Sequence, residues 1–161
     1  MKSYENASPD LFAKITSGVF ILAILVALGF WAYSPNPEAR KAGMFLGLIF
    51  LLALTISWLL IPSLGKSESH FEIQTKLHAI EIPFREIQSV EAKPYKGLYL
   101  RLFGVGGLLG YFGYFNKGEV WYVMNRQKTL RITTKAGKVY VVSPKDPLAV
   151  ASDLEKYINP Y

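Results

Sequence analysis

Two patterns of hydrophobic positions divide this chain. The first is continuous. Residues 18–33, GVFILAILVALGFWAY, carry no charge and reach spanning length once 15–17 are included. A second run, 42–61, holds twenty uncharged residues. At about 1.5 Å of rise per residue, such a helix matches the roughly 30 Å of a bilayer's hydrocarbon. Between the runs, 34–41 contain Pro35, Pro37, Glu38, Arg40 and Lys41. The prolines interrupt a helix and the charges resist burial in lipid. The pattern predicts a hairpin of two transmembrane helices, with Trp31, Tyr33 and Trp58 at the interfaces and Pro62 at the exit. A pair of buried core helices is disfavoured, because a chain of 161 residues has too little protein to wrap two helices that are apolar all round. A cleaved leader is disfavoured too. Glu5 and Asp10 stand beside Lys2 and Lys14, no small-residue cleavage site is evident, and a second span follows directly.

The second pattern is alternating. Residues 70–74 and 77–82 alternate apolar and polar positions across a tight connection at Thr75 and Lys76. Further strands are expected over 87–93, 98–103, 120–124, 130–134 and 139–143, the last two joined by a turn containing Gly137. At the end Asp146 suits a helix cap, Pro147 suits the first turn, and Val150, Leu154, Tyr157 and Ile158 share one face. These elements predict an α+β chain whose seven antiparallel strands form a barrel plugged by one amphipathic helix. The organisation expected is a tail (1–14), helices over 15–33 and 42–62 flanking a loop (34–41), a linker (63–69) and a domain (70–161).

Local motifs agree with that architecture. The stretch 101–115, RLFGVGGLLGYFGYF, is followed by Asn125 and Arg126, by RITT at 131–134 and by Ser143-Pro144-Lys145-Asp146-Pro147. Together with the strand-turn-strand pattern over 82–90, it resembles the bacterial PH domain family of small membrane-anchored proteins. The resemblance covers roughly 71–158. It implies a pleckstrin-homology-like (PH-like) fold, often attached to transmembrane helices, with no shared catalytic motif and mostly no assigned ligand. The phosphoinositide role of eukaryotic relatives is not carried onto these residues.

Charge and composition narrow the partners. The net charge of +6 comes from scattered Lys and Arg, not from a dense basic block. A basic domain beside a bilayer is drawn to anionic headgroups by about 1 kcal/mol per basic residue near the surface, so a lipid bilayer explains the charge and nucleic acid is not expected. No cysteine is present, which excludes disulfides, thiol nucleophiles and thiolate metal sites. Lys2, Lys14, Lys66 and Lys76 flank the hairpin ends, against Arg40 and Lys41 in its loop. That bias places both termini and the domain on the cytoplasmic side of a bacterial inner membrane.

Residues 103–116 are the most unusual segment, with five glycines, five aromatics and no charge. Either the glycines serve bulges and close approach while the aromatics pack in the core, or Phe112, Tyr114 and Phe115 enter the bilayer interface or a partner's groove. Arg101, Lys117, Arg126, Lys128 and Arg131 flank the segment and form a candidate site for anionic headgroups. Other chemistry has weaker support. Gly104, Gly106 and Gly107 lead to Leu109 where a dinucleotide fingerprint needs glycine. His70 and His78 could face each other across a hairpin but lack a third metal ligand. Glu68, Glu72, Glu81, Glu86 and Glu91 fall mostly on polar strand positions. Gly43 and Gly47 have small-xxx-small spacing, which suits packing between copies.

The function expected is a non-catalytic, membrane-anchored binding or scaffolding module without a cofactor. It recruits a protein partner or anionic lipid, and a homo-oligomer is compatible with it. The alternative is an accessory subunit of a membrane enzyme or transporter complex.

Overall fold

Helix α1 (Leu11–Tyr33) starts where the Asp10 carboxylate accepts a hydrogen bond from the Ala13 amide, and α2 (Pro37–Leu59) where Asn36 accepts one from Glu38. The computed structural model describes residues 2–97 and 99–158. Leu98, expected to open a strand, lies outside them, as do Met1 and 159–161 at the ends of the expected tail and domain. Both helices begin earlier than the apolar runs suggest. Asp10 supplies a cap before the first run, and Pro37 occupies the first turn of α2, where a missing N–H costs nothing.

Both helices are long and apolar enough to cross a membrane, with mean hydropathies of 2.3 and 2.2, and only 17% of each apolar window is buried. The buried positions are small: Ala13, Ser17 and Ala27 on α1, and Gly43, Gly47 and Ser57 on α2. A Cβ on Gly43 would lie 2.6 Å from the Ala27 carbonyl oxygen and 2.8 Å from the Trp31 nitrogen. The small-residue seam expected between copies is therefore a contact within the hairpin. Gly43→Leu should destabilise the helix pair by about 2 kcal/mol through overpacking, measured as thermal unfolding in detergent. Gly18→Leu should leave stability unchanged, because nothing lies within 4 Å of a Cβ at Gly18.

Strands β1 (Lys2–Tyr4), β2 (Ser63–Lys66), β3 (His70–Gln74) and β4 (Ala79–Pro83) form one antiparallel sheet in that order. After a turn of 3₁₀-helix over Phe84–Glu86 come β5 (Ile87–Ala92), β6 (Arg101–Gly106), β7 (Tyr111–Phe115), β8 (Glu119–Val123), β9 (Leu130–Thr134) and β10 (Val139–Val142). They form a second sheet in the order β5-β9-β10-β8-β7-β6, in which only the β10–β8 pair is parallel. Helix α3 (Pro147–Ile158) closes the described chain.

The closed, wholly antiparallel barrel expected from the pattern is therefore corrected to two separate sheets. Pro83 ends β4 without an N–H to extend the ladder, the chain turns, and β5 then pairs with β9. Three strands, β1, β2 and β7, fall outside those expected. β1 and β2 are short and pair tail to linker, whereas β7 is buried on both faces and so shows no polar side.

The main core lies between the sheets, where Phe71, Ile73 and Ile82 meet Phe112, Leu130, Ile132 and Val142, with Val150 and Leu154 of α3 closing the end. Leu154 and Val150 are buried as expected. Tyr157 stays at the rim, its ring 4.9 Å from that of Phe84. A second cluster lies on the other face of the larger sheet, where Ala13, Tyr95 and Tyr99 pack with Tyr111, Phe115, Trp121, Val123 and Val141.

Candidate functional site

The N-terminal segment is bound along the domain before it enters α1. The Ala7 amide donates to the Ser143 carbonyl (2.9 Å), Lys145 to Glu5 (2.8 Å) and Asp10 to Met124 (3.1 Å). Asp10 then does three things at once. It caps α1, accepts from the Tyr111 hydroxyl (3.1 Å) and pairs with Arg126, whose Nε lies 2.9 Å from Oδ2. The Arg126 guanidinium is held among the rings of Tyr111 (4.8 Å), Phe12 (5.4 Å) and Tyr99 (5.5 Å). Burial opposes ionisation of Asp10, but the Ala13 amide and Arg126 hold its carboxyl below the usual range.

Two turns complete the base of the hairpin. In the β6–β7 turn, Gly107 accepts from the Thr16 hydroxyl, and the Leu109 amide donates to Ser17 Oγ (2.9 Å). In the β3–β4 turn the Lys76 amide donates to the Leu59 carbonyl (3.2 Å), and its ammonium sits over the Trp58 ring. Leu77 beside it is 58% exposed. Leu11, Phe12, Lys14, Trp58, Lys76 and Leu77 thus ring the base of the two helices, an apolar and basic border suited to an interface.

The residues singled out in the sequence do not form one patch. Phe112 and Phe115 are 0% exposed, which corrects the view that they enter lipid or a groove. They point to opposite faces of β7, one into each core cluster. Tyr114 between them is half exposed. Arg126 is taken by Asp10, and Arg131 by Glu119 at 2.8 Å. Lys128 donates to the Lys145 carbonyl. Arg126 and Lys128 follow β8 while Lys117 precedes it, so they lie at opposite ends of that strand. Arg101 and Lys117 are exposed. His70 opens β3 while His78 lies in the turn after it, so they do not face each other. His70 contacts Ser67, and His78 contacts the Tyr122 hydroxyl. Gly104 and Gly106 lie within β6, and 107–110 join it to β7, not a strand to a helix. Among the described residues no group of three His, Asp or Glu side chains is placed to hold a metal.

Pattern reading missed Asp10, the Trp58 and Lys76 pair, Leu77, and the exposed Leu100, Leu102 and Phe103. The signal for Asp10 was its position just ahead of the apolar run, as a cap.

A second charged cluster ties the first sheet to α3. Asp153 accepts from Lys2 (2.8 Å), Lys66 (2.8 Å) and the Tyr4 hydroxyl (2.6 Å). Burial raises its carboxyl, but those three donors outweigh it and hold the group far below the ordinary carboxylate value. Its contribution to stability is complete above the unfolded value of about 4 and is lost as pH falls through the lower folded value. Asp153→Asn should therefore be less stable at pH 7 and show a flatter decline in acid, read by denaturant titration at several pH values.

Two packed sheets with an amphipathic helix across one end are compatible with a PH-like fold. The family model for the bacterial PH domain matches residues 66–158, more than half of the sequence, and the chain belongs to that family. No curated protein and no solved structure matches the chain.

Proposed function

We propose that the chain is a non-catalytic adaptor, anchored in the bacterial inner membrane by α1 and α2, whose PH-like domain recruits a partner polypeptide at the cytoplasmic surface. One observation carries this reading: a hairpin apolar on its outside is fastened at both helix ends to a binding-class domain. Lys2, Lys14, Lys66 and Lys76 near the hairpin ends, against Arg40 and Lys41 in the loop, support the orientation. Lys14 and Lys76 are better placed for anionic headgroups than Arg126, whose charge is satisfied by Asp10. Of the remaining candidates, Arg101, Tyr114 and Lys117 are accessible to a partner, and the anchor raises the local concentration of whatever they meet.

The chain lacks cysteine, so Ser34→Cys and Ser152→Cys can be labelled singly with a membrane-impermeant maleimide. Position 152 should react from the cytoplasmic face and position 34 from the other. Reaction of both from one face, or extraction of the protein by carbonate, overturns the anchor. Recruitment is tested by affinity purification of the intact protein from gently solubilised membranes. A stoichiometric polypeptide is expected, and recovery of the chain alone counts against the adaptor. The accessory-subunit alternative draws on a groove of about 400 Å³ in the hairpin, lined by Ala27, Phe30, Gly43 and Phe50 among others. A neighbour's helix seated there would put recognition in the membrane.

A further inference from the structure

Four strands form the edges of the two sheets: β1 and β4 in one, β5 and β6 in the other. Natural sheets guard such edges, because a row of free N–H and C=O groups is a template for another strand. Three of these four are guarded. The tail that continues β1 is bonded to 143–145, β5 packs against α3, and β4 ends on Pro83, which has no N–H to offer another strand. The β6 edge differs. Leu100, Leu102 and Phe103 are 66%, 55% and 76% exposed, and among the described residues the backbone of 101–106 bonds only to β7.

The edge is also held ready. The Asn116 amide donates to the Leu100 carbonyl (2.7 Å), and the Leu100 amide donates to Asn116 Oδ1 (3.2 Å), so the approach to β6 is fixed in place. Leu102 falls in a bulge outside the β7 register. Gly104 and Gly113 stand opposite each other at φ 121° and 124°, and a Cβ on either would lie within 2.3 Å of the facing backbone. That close approach holds the edge strand against β7.

We propose that β6 is a docking edge for an extended segment of a partner polypeptide with alternating apolar and acidic residues, which adds to the sheet as a further strand. This specifies the partner in the adaptor reading and rests on it. Charge decides the occupant. Arg101 lies on β6, with Lys96 and Lys117 in the segments before and after the β6–β7 hairpin. All three are exposed and none has an ion pair among the described residues. Glu119, close by in sequence, is already engaged by Arg131, Trp121 and Asn116. A second copy of the same edge would set like charges side by side, which is unfavourable, whereas carboxylates on a partner strand complement them.

The test uses the intact protein in lipid nanodiscs and two synthetic probes, a peptide of alternating Val and Glu and the same peptide with Lys for Glu. The acidic peptide should bind, and should slow amide exchange across 101–106. Leu102→Ala with Phe103→Ala should weaken it at least tenfold, and Arg101→Glu should shift preference towards the lysine peptide. No binding, equal binding of both peptides, or unchanged exchange at β6 would overturn the proposal. Concentration-dependent protection of β6 without peptide would overturn it in favour of a second copy. These outcomes are separable from failure of the adaptor reading, which shows as loss of the anchor or as purification of the chain alone.

Discussion

Phe112→Ala and Phe115→Ala should each destabilise the protein by about 3–5 kcal/mol, the usual cost of removing a buried ring. Both side chains are fully buried, on opposite faces of β7. Phe112 joins the core between the sheets, and Phe115 stacks on Trp121 with ring centroids 4.7 Å apart. Denaturant midpoints in detergent, followed by far-UV circular dichroism, read the loss. Tyr114→Ala lies between them on a half-exposed position and should cost far less, about 1 kcal/mol or below. Had these aromatics entered the bilayer, the truncations would weaken membrane association with stability intact. Unchanged midpoints for Phe112→Ala and Phe115→Ala would therefore restore the exposed-loop view.

Asp10→Ala should cost about 3 kcal/mol and loosen the domain from the hairpin. Part of this is the cap, worth about 1 kcal/mol. The rest is the charge left on Arg126, which is 27% exposed and would lose its carboxylate while still enclosed by aromatic rings. Asp10→Asn separates the two contributions, because asparagine caps a helix well but leaves the guanidinium without a counter-charge. It should fall between wild type and Asp10→Ala. Adding Arg126→Leu to Asp10→Ala should recover part of the loss, since the double variant buries no unpaired charge. Hydrogen exchange offers an independent readout. The amides of Ala13 and Arg126, both bonded to the Asp10 carboxylate, should lose protection in Asp10→Ala. If they keep it while overall stability falls, Asp10 acts through the cluster around Tyr111 and not through the junction.

Much of the architecture is a local property of the chain, and local patterns were enough to read it. An uncharged run of twenty residues has the length and composition of a helix that can cross a bilayer. Alternation marked β3, β5 and β9, and the cap at Asp146 with its apolar stripe marked α3, because in each a single face is buried, whereas β8 and β10 read as short apolar runs because both of their faces are. The bacterial PH domain resemblance was legible for the same reason, from the glycine-aromatic stretch and the Ser143–Pro147 motif.

What the pattern did not disclose depends on partners distant in the chain. β7 has no polar side because Tyr95, Tyr99 and the start of α1 cover the face that a half-buried strand would show to water. Arg126 reads as a free cation until Asp10, 116 positions earlier, is brought against it. Gly43 has the spacing of a contact between copies, yet the 2.6 Å from a Cβ to the Ala27 carbonyl places it inside the hairpin. By itself the sequence determined the elements and their class, since helix and strand periodicity follow from which side chains avoid water over a few residues. Only the tertiary structure decided which aromatics are core, which charges are satisfied and which edge is left open, because those outcomes depend on contacts between segments far apart in the chain.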